Sequence, residues 1–227
     1  MSVVALLLCA GRGERLGLGV DKALAPLAGR PLFAWSLETL ERSAAVHGVV
    51  VVGPVRRLRD ALAACGLAAR KIVGWVEGGR ERQESVARGL AALPDDATLV
   101  VVHDAARALV TTDLVSRVVA DALQHGAALA AVPLADTLKQ GRLGAVERTV
   151  PRAGLWCAQT PQAFRRDWLT AAHAGGIRGA TDDAALIEAL GHPVRLVEGD
   201  ALNLKITTPR DLELAEAWLT RSSARTT

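Results

Sequence analysis

Tyrosine is absent from this 227-residue chain, phenylalanine occurs twice, and there are only three cysteines. Nucleic-acid binding by base stacking wants aromatics interleaved with a basic stripe, and the sequence has neither. Cys9, Cys65 and Cys157 lie far apart with no CxxC pair. That spacing indicates neither a disulfide framework nor a zinc site, and a reduced, cytoplasmic setting fits best. No apolar run approaches the roughly 20 residues of a membrane span. The start MSVVALLLCAGRG lacks a basic leader and runs straight into a glycine turn, so it reads as a first strand, not a signal peptide. Lysine is scarce as well, 4 against 23 arginines in a net charge of +3. The basic character is therefore mostly guanidinium, suited to bidentate contacts with phosphate or carboxylate, and small phosphorylated ligands are the expected partners.

What is present is a regular alternation of short β-like runs and helical patterns, which predicts an α/β fold with a mostly parallel sheet. Strands are expected at 3–9, 48–53, 71–76, 98–103, 127–133 and 194–198, with a short one at 203–206. Pro31 stands at a first-turn position before LFAWSLETL, Thr112 is placed to cap DLVSRVVADAL, and Thr208 with Asp211 resembles a capping box. Region 134–165 breaks the rhythm with Gly141, Gly144, Pro151 and Gly154, and reads as a hairpin arm that leaves the sheet and returns. A lone two-stranded ribbon is marginally stable in water, so the arm is expected to pair with a second subunit. Residues 1–221 are expected to form a single domain that includes the arm at about 134–160, with 222–227 as a frayed tail.

Ligands of open α/β sheets collect at the carboxyl ends of strands. The first strand feeds AGRGERLGLGVDK, which carries Gly11, Gly13, Arg15 and Lys22. Leu16 replaces the third glycine of a dinucleotide fingerprint, no acidic residue ends VVVVGP to hold a ribose, and no Walker pattern can be read. A phosphate cradle with two cations remains, beside the bland alternative of an ordinary strand–turn–helix with exposed basic residues. Later strand ends deliver Gly78-Gly79 with Arg82 and Ser85, then His103-Asp104-Ala105-Ala106-Arg107, then Asp136-Thr137, and finally Lys205. Asp104 is placed to hold Mg²⁺, a hard cation that shares carboxylates with substrate phosphates. The competing reading makes Asp104 a turn cap paired with Arg107. His103 reads as a structural histidine, since no nucleophile motif accompanies it. Ser85 could bond a ligand or cap its helix, and Thr181-Asp182-Asp183 reads first as a helix N-cap with an acidic first turn.

In their order, AGxGxR with its lysine, GGRERQESV, VHDAAR, ADTLK, TVPRAGLWCAQTPQAF, ATDDA and VEGDALNLKIT resemble the 2-C-methyl-D-erythritol 4-phosphate cytidylyltransferase family, from about Val3 to about Leu219. The resemblance implies a Rossmann-like nucleotidyltransferase three-layer sandwich with a protruding β-arm. It implies condensation of CTP with methylerythritol phosphate, with release of diphosphate. By position, Ala10, Gly11, Gly13, Gly79 and Ser85 would line the CTP site, and Arg82 would support that loop. Asp104 would hold Mg²⁺ or another divalent cation. Arg15, Lys22 and Lys205 would stabilise charge at the reacting phosphorus, with Lys205 also at the substrate. Arg107, Thr137 and Arg152 would grip the sugar phosphate, the last two from the arm and toward the neighbouring subunit of a homodimer. The chain departs from the family pattern at Asp21, where proline is common, at Arg80, where some relatives carry an acid, and at Asp183, where others have Glu. Two rivals stand beside this reading: a cytidylyltransferase for ribitol 5-phosphate, and a non-catalytic nucleotide-binding protein on the same scaffold. Fusion to the pathway's later cyclase is not expected, because the sequence ends soon after its last helical pattern.

Overall fold

The computed structural model describes residues 2–11, 21–176 and 179–223. After β1 (Ser2–Leu8) come a small hairpin, β2 (Pro26–Leu27) and β3 (Arg30–Pro31), then α1 (Leu32–Arg42), β4 (Gly48–Val52), α2 (Val55–Cys65), β5 (Ile72–Val76) and α3 (Arg82–Ala91). The second half runs β6 (Ala97–Asp104), α4 (Thr112–His125), β7 (Ala127–Pro133), β8 (Leu138–Arg142), β9 (Ala145–Val150), β10 (Trp156–Arg165), α5 (Arg166–Ala174), α6 (Asp183–Ala189), β11 (Arg195–Glu198) and α7 (Pro209–Ser223). Seven strands form one sheet in the order β11-β7-β10-β6-β1-β4-β5. All run parallel except β10, which is antiparallel to both β6 and β7.

The near-continuous valine and leucine runs of β1, β4 and β6 are what a strand covered on both faces requires. Val3, Ala5 and Leu7 face α1 and α4 through Leu37, Leu40, Leu114 and Val118. Their neighbours Val4, Leu6 and Leu8 face α3, α5 and α6 through Val86, Leu90, Leu169 and Ile187. Helices on both faces give the three-layer sandwich. The chain order reverses beside β1: β4 and β5 lie on one side of it and β6 on the other, so a crevice opens past the ends of β1 and β6.

Four expectations are corrected. First, TPQAF does not belong to an arm. The second half of β10 lies inside the main sheet, with Gln162 to Arg165 paired to β6. Pro161 argues against a central strand, but it falls where the register shifts between Ala158 and Gln162, so its missing N–H interrupts no ladder bond. Second, residues 203–206 form no strand; the Ile206 amide donates to the Ala106 carbonyl (2.8 Å), and the segment is otherwise irregular. Third, the cap of α4 is Thr111, whose hydroxyl accepts from the Leu114 amide, while Thr112 is already helical. Fourth, Pro31 occupies the cap position immediately before α1. The Thr208–Asp211 box is present, each side chain accepting from the other's amide. β8 and β9 form a separate two-stranded ribbon, closed by Leu143 and Gly144 with φ of 52° and 81°. Two positive φ values in a two-residue loop suit the right-handed twist of a hairpin.

Candidate active site

The first wall of the crevice grows out of β1. Past Leu8, Cys9 is buried and its amide donates to the Val52 carbonyl (2.7 Å). Burial also pushes its thiol well above the usual thiol range, so it is packing and not a nucleophile. The Lys22 amide donates to the Gly11 carbonyl (3.2 Å), which closes the base of the glycine loop and brings Lys22 beside Ala10. Gly13 and Arg15 lie outside the described residues.

The second wall is the turn between β5 and α3. Gly78 abuts Ala10, and the Gly79 amide donates to the Ser85 hydroxyl (2.9 Å), which in turn donates to the Glu81 carbonyl (3.1 Å). Ser85 is almost fully buried, so it fixes the loop from within. Arg88 adds a bond from its guanidinium to the Gly78 carbonyl (2.9 Å).

The floor is the end of β6, where Asp104 is the last strand residue. The Asp104 amide donates to the Thr160 hydroxyl (3.0 Å), while its two carboxylate oxygens take Arg82 Nε (3.2 Å) and Lys205 Nζ (2.7 Å). Burial alone would raise the acid's pKa. The attraction of Arg82 and Lys205 outweighs it and holds the carboxyl well below the usual carboxylate range. Asp104 is therefore a permanent anion, and its partners are Arg82 and Lys205, not Arg107 as the turn-cap alternative required. Arg107 instead donates to the carbonyls of Asn203 (2.7 Å) and Ala158 (3.3 Å), and burial lowers its pKa. His103 is fully buried, its Nδ1 lies 3.1 Å from the Thr160 hydroxyl, and burial pushes its pKa down to about 4. It is a neutral structural histidine at pH 7.

Two hollows meet at this floor. One, of about 210 Å³, is lined by Leu8, Ala10, Lys22, Ser85 and Ala106. The other, of about 190 Å³, is lined by Arg107, Ala158, Gln159, Thr160, Gln162 and Thr181. Arg82, Asp104 and Lys205 belong to both. A larger and more apolar cavity of about 850 Å³ lies at the opposite end of β6, against Ala97, Leu99 and Arg165, far from these charges. Thr137 and Arg152 are exposed at the root of the ribbon and line neither hollow, so one chain does not bring them to Asp104.

Several supporting residues lie in the quoted motif stretches but were given no individual role there. Asn203 donates to Gln159 (3.1 Å) and to the Thr160 carbonyl (2.9 Å), and Gln162 donates to Asp182 (2.9 Å). Asp183, read first as part of a helix start, accepts from Arg82 (2.7 Å) and meets His173 (2.9 Å). The clue in the sequence was polarity in the wrong place: AQTPQAF carries two amides and a hydroxyl where a buried strand wants apolar groups. Among the described residues no three His, Cys, Asp or Glu side chains gather to hold a metal ion. A cation that also takes substrate phosphates needs only one or two carboxylates, and each Asp104 oxygen keeps a lone pair beyond its ion pair, so the donor set suits Mg²⁺.

The chain matches the IspD family model, 2-C-methyl-D-erythritol 4-phosphate cytidylyltransferase, over residues 3–221. It is 49% identical over 225 residues to the protein of that name from Frankia casuarinae, covering 96% of this chain and 82% of the relative. It is 46% identical over 220 residues to that from Gloeobacter violaceus, covering 94% of each. The crystal structure of the Thermus thermophilus protein of the same name superimposes with a TM-score of 0.78 at 39% identity, covering 97% of this chain and all of that one. A 4-diphosphocytidyl-2C-methyl-D-erythritol synthase from Anaerococcus prevotii gives 0.83 at 26%, covering 96% of each chain. The family model, the relatives and the solved structures agree along nearly the whole sequence, and the chain belongs to the 2-C-methyl-D-erythritol 4-phosphate cytidylyltransferase family.

Proposed function

We infer that the two-lobed cleft joins CTP to 2-C-methyl-D-erythritol 4-phosphate, giving 4-diphosphocytidyl-2-C-methyl-D-erythritol and diphosphate. The observation that carries this reading is Asp104, pinned between Arg82 and Lys205 where two hollows meet. The lobe with Ala10, Lys22, Gly79 and Ser85 takes the nucleotide, and we assign Gly11, Gly13 and Arg15 to the same task. The lobe with Arg107 takes the sugar phosphate. A phosphate monoester oxygen is already a competent nucleophile, so no covalent enzyme intermediate or strong base is required. The obstacle is bringing two anions together and stabilising charge on the α-phosphate and the departing diphosphate, which positioned cations do. Arg15, Lys22 and Lys205 supply that charge. Asp104 would hold the Mg²⁺, which when bound neutralises phosphate oxygens.

Leu138, Leu143, Val146, Leu155 and Trp156 are all exposed on or beside the ribbon, an apolar surface that supports its burial against a second copy. In such a homodimer Thr137 and Arg152 reach the neighbour's cleft. We place residues 1–221 in one domain with the ribbon as its arm, and the protein in the cytoplasm. Free cysteines, and the lack of any described helix long and apolar enough to cross a membrane, are consistent with that setting.

The test is diphosphate release from CTP and Mg²⁺ with methylerythritol 4-phosphate or with ribitol 5-phosphate in parallel. Release with the first alone supports the assignment. Preference for ribitol phosphate moves it to that sugar, and release with neither makes the chain a binding protein.

A further inference from the structure

Arg82 opens α3, where the helix dipole disfavours a cation, yet its guanidinium is largely buried there. Two carboxylates from distant parts of the chain make this tenable. Nε donates to Asp104 and Nη1 to Asp183, so one rigid planar fork spans both acids. Asp183 does not cap its own helix, because Asp182 caps α6 by accepting from the Ala185 amide. Both Asp183 oxygens go elsewhere: Oδ2 to Arg82 at 2.7 Å and Oδ1 to His173 Nε2 at 2.9 Å. The Asp183 side chain is 1% exposed and that of His173 5%, so neither carboxylate rotation nor water offers an alternative arrangement.

We propose that Asp183 and His173 are positioning residues for the transfer, setting the plane of the Arg82 guanidinium and, through it, the orientation of the Asp104 carboxylate. His173 lies on α5 and Asp183 at the start of α6, so the packing of these two helices is read out at the floor of the cleft. His173 acts as a hydrogen-bond donor to Asp183, and no proton transfer is required of it. The proposal rests on Asp104 being the centre of the cytidylyl site.

The experiment compares the unmodified enzyme with Asp183→Asn, His173→Ala, His173→Gln and the Asp183→Asn/His173→Ala double variant, by steady-state kinetics and crystallography. Asp183→Asn is expected to lower kcat by ~10–100-fold, as for removal of a group that orients a ligand-bearing side chain, with KM for both substrates within a few-fold. His173→Ala is expected to lower kcat in the same way and His173→Gln to restore it. The double variant should be no slower than Asp183→Asn, since His173 acts through Asp183. In the crystals the 3.2 Å contact between Arg82 Nε and Asp104 should be lost in Asp183→Asn. Its retention, or loss of thermal stability with kcat unchanged, reduces the pair to glue between helices and overturns the proposal. An unmodified chain that releases no diphosphate would instead sink the functional reading, while the crystallographic arm still decides whether Asp183 sets Arg82.

Discussion

Gly78 packs against Ala10 so closely that a methyl group on it would stand 2.6 Å from the Ala10 Cβ. The nucleotide loop after β1 and the turn after β5 therefore touch through a missing side chain. Gly78→Ala must push the two apart. The expected outcome is a stability loss of about 1–3 kcal/mol, the usual cost of overpacking, together with a raised KM for CTP. Chemical denaturation and CTP titration check it; Arg80→Ala on the exposed side of the same turn should leave both unchanged.

Lys22 and Lys205 approach the floor from opposite ends of the sequence. Lys22→Ala and Lys205→Met should each lower turnover by on the order of 10²–10³, the effect of removing a donor aimed at developing charge. Single-turnover measurements separate this from binding. A change of only a few-fold would remove the assigned role.

Arg152→Ala should mainly raise KM for the sugar phosphate, because Arg152 sits on the arm and not in the nucleotide lobe. Mixing the Arg152→Ala and Lys22→Ala chains and allowing subunit exchange should recover activity, since one site of each mixed dimer is then intact. Failure to recover would place Arg152 outside the neighbour's site.

His103 gives a pH signature. Its neutral form is favoured in the fold, so its pKa of about 4 lies below the ordinary 6.5. The unfolded chain then binds the proton first, and stability is complete above about pH 7 and declines as pH falls toward 4. The loss attributable to His103 between pH 8 and pH 5 should be about 2 kcal/mol. His103→Asn, whose amide oxygen can still accept from Thr160, should flatten that slope. Asp104 acts in a different window: its pKa is lowered, so its contribution is present above about pH 4 and lost only in stronger acid.

The sandwich and the cleft were legible where residues act through local pattern. The valine runs, the glycine turns and Asp104 at a strand end all announce themselves within a few positions. What was hidden acts across the fold. β10 was obscured by Pro161, because nothing local reveals that a register shift will spare its missing N–H. Asp183 looked like an ordinary helix start, since its partner Arg82 is 101 residues away. Lys205 was found, but on an imagined strand; its segment is irregular, with the next residue, Ile206, bonded through its amide to the Ala106 carbonyl.

β6 and β7 follow one another in the chain yet are not neighbours in the sheet, because β10 lies between them. Until residues up to Arg165 have joined, both strands expose an open edge, and the Asp104 amide has no hydroxyl to meet. The remaining floor contacts wait for Asp183 and Lys205, later still. The floor of the cleft thus depends on pairing between strands far apart in the sequence, which is slow by nature. A chain stopped near residue 155 would hold the two walls of the cleft without β10 to complete its floor, with two apolar strand edges free to find each other in the wrong molecule.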